Sequence, residues 1–296
     1  MRRRWGRSGL RIRRLADPQS RQHVVSPAMQ PIALHQIKSG DTEIAYRVLG
    51  EGSPVILLHP FPVNHEFWLP VAWALSTRYR VVLPDLRGHG DSGVGDGPAT
   101  MEKHAGDIAR VMDDAEIGRG PLVGVSIGGY ALFEFWRSHR GRVTALGLFN
   151  TKAPADSAEA RAGRLQAAND VLERGTEPFF ASMVPRLLGS TTRDTRPDLV
   201  EGALRMMRKM SPEDVAQVQR GMAGRPDSVD TLKTVNVPTL VVTGDEDVLT
   251  GLGEAELMLQ HISGSQLRVM PKAGHYSAWE QPEEAGKLLR QFLERL

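Results

Sequence analysis

The chain has 296 residues, of which 41% are hydrophobic, with no cysteine and a formal net charge of +2 at pH 7. That length accommodates one large hydrophobic core, or a core domain with a smaller inserted one. The lack of cysteine excludes disulfides, thiolate metal sites and a cysteine nucleophile, and it fits a cytoplasmic protein. No apolar stretch reaches the roughly 18 residues that a membrane-spanning helix requires, so no membrane partner is expected.

Basic residues are concentrated in a segment at the N terminus, residues 1–28. Its arginines lie between Arg2 and Arg21, so the rest of the chain is acidic on balance. The segment lacks the continuous apolar core of a secretory signal, and it is poor in the serine and the amphipathic pattern of a transit peptide. We expect a disordered extension, which could also arise from a start codon upstream of Met29, rather than an arm that binds nucleic acid or a membrane.

The first predicted elements are strands, which then alternate with helices. An alternating pattern on either side of Ser39-Gly40-Asp41 predicts a β-hairpin. The continuous apolar runs at Val55–Leu58 and Arg80–Leu83 are typical of strands that are covered on both faces in a parallel sheet. The predicted elements of this part are strands 32–37, 42–48, 55–58 and 80–83 and helices 67–76 and 101–115.

The sequence Gly124-Val-Ser126-Ile-Gly128 lies between an apolar run, Pro121–Val125, and a helical pattern, Gly129–Trp136. A serine in a sharp turn between a strand and a helix presents its hydroxyl at the end of the strand, and the two glycines allow the strand and the helix to approach closely. An ordinary glycine-rich turn would match the same letters, but the flanking strand and helix favour a nucleophile elbow.

The alternation stops after a predicted strand at Val143–Phe149 and resumes with a strand at Thr239–Thr243. Helical patterns fill the gap and predict an inserted domain at 151–233, which leaves a core of 29–150 and 234–296. Ligand sites of parallel sheets lie at the carboxyl ends of the strands, so we expect this cap to cover that edge, although a packing domain without ligand contact would give the same pattern. The remaining predicted elements are cap helices 158–174, 177–188, 197–210 and 212–222, then helix 253–262, strand 265–270 and helix 282–296.

A serine nucleophile needs a base that takes its proton, and histidine is the usual one. His275 follows the strand at 265–270, at the edge of the sheet where Ser126 emerges, and Gly274 gives its loop the freedom to aim the ring. The other histidines after the elbow, His139 and His261, end helices and are expected to be solvated. We therefore expect His275 to be the base.

The carboxylate that orients the base is expected after the strand at 239–243. Asp245 and Asp247 both lie there, and their spacing alone does not separate them. The residue after the preceding strand, where such an acid could also sit, is Asn150, which carries no charge. One of the two aspartates is therefore expected to pair with His275.

Acyl transfer also needs N–H donors for the oxyanion that develops in the transition state. The backbone of Ile127, directly after the serine, is one expected donor. The second is expected from the loop His59-Pro60-Phe61-Pro62, where proline has no N–H and Phe61 therefore supplies the donor.

Four motifs together resemble the α/β-hydrolase fold superfamily over nearly everything from Ile32 to the C terminus. His59–Pro62 resembles the oxyanion loop His-Gly-x-Pro, with Pro60 in place of glycine, and Asp85–Ser92 resembles Asp-x-Arg-Gly-x-Gly-x-Ser. The elbow and Gly274-His275 complete the set. The resemblance implies an α/β fold with a mostly parallel, doubly wound sheet and an inserted helical cap. It also selects Asp247 as the acid, because the family pattern Gly-x-x-Asp falls on Gly244 and Asp247.

Within the superfamily, the chain resembles 3-oxoadipate enol-lactonases, haloperoxidase-like proteins and small esterases. This implies an enzyme, a serine hydrolase that cleaves a carboxylic ester or an (enol-)lactone of a small molecule through Ser126, His275, Asp247 and an acyl-enzyme. A carbon–carbon bond hydrolase of ring-cleavage products with the same triad, and a non-catalytic small-molecule receptor, are the alternatives. The residues expected to contact the substrate are Trp68, Tyr276, Phe179 and Met183.

No metal, cofactor or nucleic acid is expected as a partner. The histidines are scattered, with no His-Glu-x-x-His motif and no cluster of carboxylates. The glycines at 88–93 are not followed by the helix and the acidic residue of a dinucleotide site. The N-terminal arginines are not interleaved with aromatic residues and belong to no nucleic-acid-binding motif.

Overall fold

One sheet of eight strands runs through residues 32–296, the part of the chain that this computed structural model describes. The extension predicted at 1–28 and the first residues of the predicted core lie outside the described residues. The strands are β1 (Leu34–Ser39), β2 (Thr42–Leu49), β3 (Ser53–Leu58), β4 (Tyr79–Pro84), β5 (Gly120–Val125), β6 (Val143–Phe149), β7 (Thr239–Gly244) and β8 (Gln266–Met270).

The spatial order of the strands is β1-β2-β4-β3-β5-β6-β7-β8. The first two pairings, β1 with β2 and β2 with β4, are antiparallel, and every other pairing is parallel. The predicted hairpin is β1 and β2, and its turn places Gly40 at a φ of 59°, a conformation that favours glycine. The predicted mostly parallel sheet is confirmed.

Helices connect the strands and pack on the sheet, and α2 contacts α3 while α1 contacts α12. The helices are α1 (Leu69–Leu75), α2 (Met101–Asp114), α3 (Ile127–His139), α4 (Ala158–Arg174), α5 (Glu177–Leu187), α6 (Ser190–Thr195), α7 (Pro197–Met207), α8 (Pro212–Ala223), α9 (Val229–Leu232), α10 (Leu252–His261), α11 (Ser277–Glu280) and α12 (Pro282–Leu293). Among residues 32–296, no helix is both long and apolar enough to cross a membrane.

Most predicted elements occur, with differences at their ends. The helix expected at 67–76 begins only at Leu69, after a 3₁₀ turn at His65–Trp68, because Pro70 lacks an N–H and is tolerated in the first turn of a helix. The short helices α6, α9 and α11 were not predicted. Helices of four to six residues are too short to show a helical repeat in the sequence.

The sheet brings the loops after five parallel strands to one edge. The strand ends pair with one another: Leu58 lies opposite Gly124, Val125 opposite Phe149, and Gly244 opposite Met270. The loops that follow these ends carry every residue that was predicted for catalysis. They are the loops after β3, β5, β6, β7 and β8.

Candidate active site

Ser126 occupies the turn between β5 and α3 in a strained backbone conformation. Its φ and ψ are 54° and −113°, a region that side chains other than glycine rarely adopt. The strand and the helix approach so closely that a Cβ at Gly124 would lie 2.4 Å from the backbone carbon of Gly128. A Cβ at Gly128 would lie 2.8 Å from the carbonyl oxygen of Leu58. The glycines of the motif are therefore required by the turn.

Backbone and side-chain hydrogen bonds hold this turn at the end of the sheet. The N–H of Ser126 donates to the carbonyl of Phe149 at 3.1 Å, which extends the β5–β6 ladder by one residue. The hydroxyl of Thr151 donates to the carbonyl of Ser126 at 2.8 Å. Both bonds come from the end of β6, and they stabilise the strained backbone of Ser126.

His275 and Asp247 are paired and buried. The Nδ1 atom of His275 lies 3.0 Å from Oδ2 of Asp247. Asp247 is 7% exposed, whereas Asp245 lies on the surface. Of the two aspartates after β7, the structure therefore brings Asp247 to the histidine.

Donors surround the carboxylate of Asp247. Its Oδ1 accepts from the N–H groups of Leu249 at 2.8 Å and Thr250 at 3.0 Å, and its Oδ2 accepts from the Thr250 hydroxyl at 2.8 Å. Burial alone would raise the pKa of Asp247, but His275 and the hydrogen-bond donors outweigh burial and hold the pKa well below its usual range. The carboxylate is therefore ionised at neutral pH.

Asn150 is a supporting residue that the motifs did not indicate. Its side-chain amide donates to Oδ2 of Asp247 at 2.9 Å and to the carbonyl of Gly274 at 3.2 Å. Its own carbonyl oxygen accepts from the hydroxyl of Ser277 at 2.5 Å. Asn150 thus links the loops after β6, β7 and β8, and its position directly after β6 was the one signal in the sequence.

Ser126 and His275 line the same cavity, which has a volume of about 390 Å³. This is within the range of small-molecule sites. Two residues predicted to contact substrate, Phe179 and Met183 of α5, also line it. Further polar side chains of the wall were indicated by no motif, among them Tyr130, Lys152, Asp156, Arg164, Arg186 and Gln219.

Trp68 and Tyr276 lie outside the cavity wall. Both are fully buried, and Tyr276 and Trp68 each contact the ring of Phe67 edge to face. The Tyr276 hydroxyl donates to the carbonyl of Phe61 at 3.0 Å. The two residues predicted as substrate contacts therefore do not line this cavity, and they pack against the residues that support it.

Two backbone N–H groups are available near the serine. Phe61 lines the cavity, and Ile127 is the first residue of α3. Within residues 32–296, neither N–H donates a backbone hydrogen bond. The ring of His89 packs against the ring of Phe61 at a centroid distance of 5.8 Å, which helps to fix the loop.

One cluster of His65, Asp85 and Asp91 has the composition of a metal site. Arg47 already supplies a positive charge there: its guanidinium lies 3.1 Å from Nδ1 of His65 and donates to Asp85 at 3.3 Å and to Asp91. Asp85 also accepts from the N–H of His65 at 2.7 Å. This network links β2, the turn at His65–Trp68 and the loop after β4, and its carboxylates are satisfied by residues of the chain itself.

Comparison with known proteins identifies the family. The sequence matches the alpha/beta hydrolase fold family over residues 53–282. A thermophilic esterase from Thermogutta terrifontis, solved with malate bound, has a TM-score of 0.86 and 37% identity, with 89% of this chain and 98% of that chain covered. The enol-lactonase from Burkholderia xenovorans has a TM-score of 0.82 and 25% identity over 88% of this chain and 100% of that one.

A curated relative agrees with these structures. 3-Oxoadipate enol-lactonase 1 of Acinetobacter baylyi is 26% identical over 250 residues, which cover 83% of this chain and 91% of that protein. The predicted resemblance to this branch is confirmed, and so is the prediction that the chain is a hydrolase enzyme. Since the family match spans most of the sequence, the chain belongs to the alpha/beta hydrolase fold family.

Proposed function

We propose that the protein is a serine hydrolase that cleaves a carboxylic ester or a lactone of a small molecule. One observation carries this proposal: Ser126 and His275 line one cavity, and Nδ1 of His275 lies 3.0 Å from the buried carboxylate of Asp247. This is the arrangement of a nucleophile, a base and an orienting acid. The esterase and enol-lactonase names of the similar proteins support the ester or lactone as the bond that is cleaved.

The first step transfers a proton from Ser126 to His275. Because Nδ1 of His275 faces the carboxylate of Asp247, Nε2 is the nitrogen that accepts the proton of the serine hydroxyl. The ionised Asp247 holds the ring in this tautomer and stabilises the imidazolium as it forms. The serine oxygen then attacks the carbonyl carbon of the substrate.

The second step is the collapse of a tetrahedral intermediate. The N–H groups of Phe61 and Ile127 donate to its oxyanion, and they need no reorganisation because the backbone fixes them. His275 returns its proton to the leaving alcohol, and an acyl-enzyme on Ser126 remains. Water that is deprotonated by His275 then releases the acid, which restores the serine.

We also propose that residues 151–233 form a cap over this site. The helices of this segment lie between β6 and β7 in sequence. Residues of α4, α5 and α8 line the cavity together with residues from the strand-end loops. A substrate enclosed by both parts would be shielded from bulk water, which strengthens the electrostatic interactions of the site.

The decisive experiment compares the wild-type protein with Ser126→Ala on p-nitrophenyl esters, on small lactones and with a fluorophosphonate probe. We expect turnover and covalent labelling to disappear together, with turnover lower by several orders of magnitude. Ser263→Ala, which removes an exposed hydroxyl outside the cavity, is the matched control and should keep both. Full activity of Ser126→Ala on every substrate would exclude this mechanism.

A further inference from the structure

The ionisable residues of the cavity wall are unbalanced in charge. Three cationic side chains line it, those of Lys152, Arg164 and Arg186, and Asp156 is the carboxylate among the lining residues. The three cations come from separate segments: the loop after β6, α4 and α5. They converge only because these segments fold over the same cavity, so their excess of positive charge is a property of the site.

Asp156 cannot neutralise these cations, because its single negative charge is already shared among several cationic side chains. Its side chain is 2% exposed and accepts from Arg225 at 2.7 Å and from Arg164 at 2.5 Å, with the amine of Lys152 at 3.6 Å. Burial alone would raise the pKa of Asp156, but these cations outweigh burial and lower the pKa. The single charge of Asp156 is thus shared by Lys152, Arg164 and Arg225. Arg186 adds a further positive charge to the cavity.

Two of the cations keep hydrogen-bonding capacity that no described residue uses. Among residues 32–296, Lys152 lies within 4 Å of the Asp156 carboxylate only, and Arg186, an exposed residue at the rim of the cavity, has no carboxylate partner. Arg164 is held in place by Asp156 and by Gln219, whose side-chain oxygen lies 3.1 Å from one of its terminal nitrogens. An arginine fork and a lysine amine facing one cavity match the geometry and charge of a carboxylate.

The three cationic side chains share their cavity with the proposed nucleophile, Ser126. Lys152 directly follows Thr151, whose hydroxyl donates to the carbonyl of Ser126 at 2.8 Å. Phe61, Phe179 and Met183 line the same cavity and provide apolar contacts. A small substrate can therefore reach the serine with its ester group and the cations with a second group.

We infer that the substrate carries a free carboxylate in addition to the bond that is cleaved, and that Lys152, Arg164 and Arg186 bind this carboxylate. The inference rests on the proposed ester or lactone hydrolysis and names its substrate class. The neutral forms of the same esters should bind less tightly, because they leave the surplus cations without a partner in a partly enclosed cavity.

The test measures binding to the Ser126→Ala variant, so that it does not depend on turnover. Three probes are the monoethyl esters of succinate, glutarate and adipate, in which the free acid lies on the acyl side of the ester. A fourth probe, 3-acetoxypropanoate, has the free acid on the alcohol side. Each acid is compared with its neutral carboxamide. In at least one pair, we expect the acid to have a Kd about tenfold lower, as for a charge-assisted hydrogen bond. Added salt should reduce this ratio.

Further variants in the same background assign the effect to residues. Arg186→Gln and Lys152→Gln should each lower the acid-to-carboxamide preference severalfold. Arg161→Gln, an exposed arginine of α4 outside the cavity wall, is the matched control and should keep it. Arg164→Gln is less suitable, because Arg164 also holds Asp156.

Three outcomes can be distinguished. A preference for the acid that depends on Arg186 and Lys152 supports the inference. Equal affinities within every pair, or a preference that both variants retain, overturn it. If the preference is present but the wild-type enzyme hydrolyses none of the probes and no p-nitrophenyl ester, the carboxylate site stands and the proposed hydrolysis fails.

Discussion

The two sides of the cavity are built from different kinds of residues. On the side of the strand ends, the polar atoms of the Asp247 carboxylate accept from backbone and side-chain donors, and Ser126 is fixed by a strained turn. On the side of segment 151–233, Lys152 and Arg186 retain capacity for a partner beyond the described residues. A preorganised side suits chemistry that is common to many substrates, and an unsatisfied side suits recognition of one substrate class.

After Ser126→Ala, the largest effect expected on the strand-end side is that of Asp247→Asn. The amide cannot stabilise the imidazolium of His275 and favours the wrong tautomer, so kcat should fall by about 10⁴-fold while the fold is kept. The measurement is steady-state kinetics on a p-nitrophenyl ester, with circular dichroism to verify folding. Asp245→Asn, two residues away and exposed, is the matched control and should have little effect. Similar losses in both variants would contradict the assignment of Asp247.

The difference between the two sides of the cavity also explains which site residues could be predicted from the sequence. Ser126, Asp247 and His275 follow apolar strand runs, and the parallel arrangement of those strands brings their loops to one edge. The family resemblance separated Asp247 from Asp245, whereas spacing did not. That separation depends on the turn after β7, in which Asp247 accepts from the N–H of Thr250.

The recognition side could not be predicted in this way. Arg164 lies on the charged helix α4 and Arg186 in the last turn of α5, and at both positions a solvated arginine has the same appearance in the sequence as one that lines a cavity. Their convergence depends on how α4 and α5 pack, which periodicity does not encode. Trp68 and Tyr276 show the converse, because aromatic residues near catalytic loops were expected at the substrate and are buried behind the loops.

Two glycine substitutions should show that the two sides of the cavity also differ in how mutation changes the free energy of unfolding. At Gly124, a methyl group would meet the backbone of Gly128 at 2.4 Å, so Gly124→Ala should destabilise the protein by about 1–3 kcal/mol or more. Gly163 lies within α4 with nothing within 4 Å of an added Cβ, so Gly163→Ala should stabilise it by up to about 1 kcal/mol. Unfolding in denaturant measures both changes. Equal destabilisation by the two substitutions would show that the turn after β5 and the helix α4 tolerate an added methyl group equally poorly, and would contradict the contrast.

Acid should weaken the core through its buried histidines. Burial lowers the pKa of His59 to about 4 and that of His104 to about 3. Because an unfolded histidine titrates near about 6.5, unfolding takes up protons as the pH falls below that value, and the free energy of unfolding decreases. Residues 151–233 contain no histidine, so this loss arises from the core.

His104→Leu tests this pH dependence, because both ring nitrogens of His104 are buried without a hydrogen-bond partner among the described residues. The slope of unfolding free energy between about pH 6.5 and pH 4 should become shallower by up to about 1.4 kcal/mol per pH unit. Urea unfolding at several pH values measures it. His139→Leu, at the partly exposed end of α3, is the control and should keep the slope.

The smallest effect is expected from an apolar residue on the recognition side. Met183 is half-buried and lines the cavity, so Met183→Ala should change kcat/KM by about threefold to tenfold and shift the preference towards longer acyl chains. Because Met183 takes no part in proton transfer, the change should lie in KM with kcat nearly kept. Kinetics on a series of p-nitrophenyl esters of increasing chain length separate the two constants. A loss confined to kcat would mean that this helix positions the catalytic groups, and the division between a chemical side and a recognition side would then be wrong.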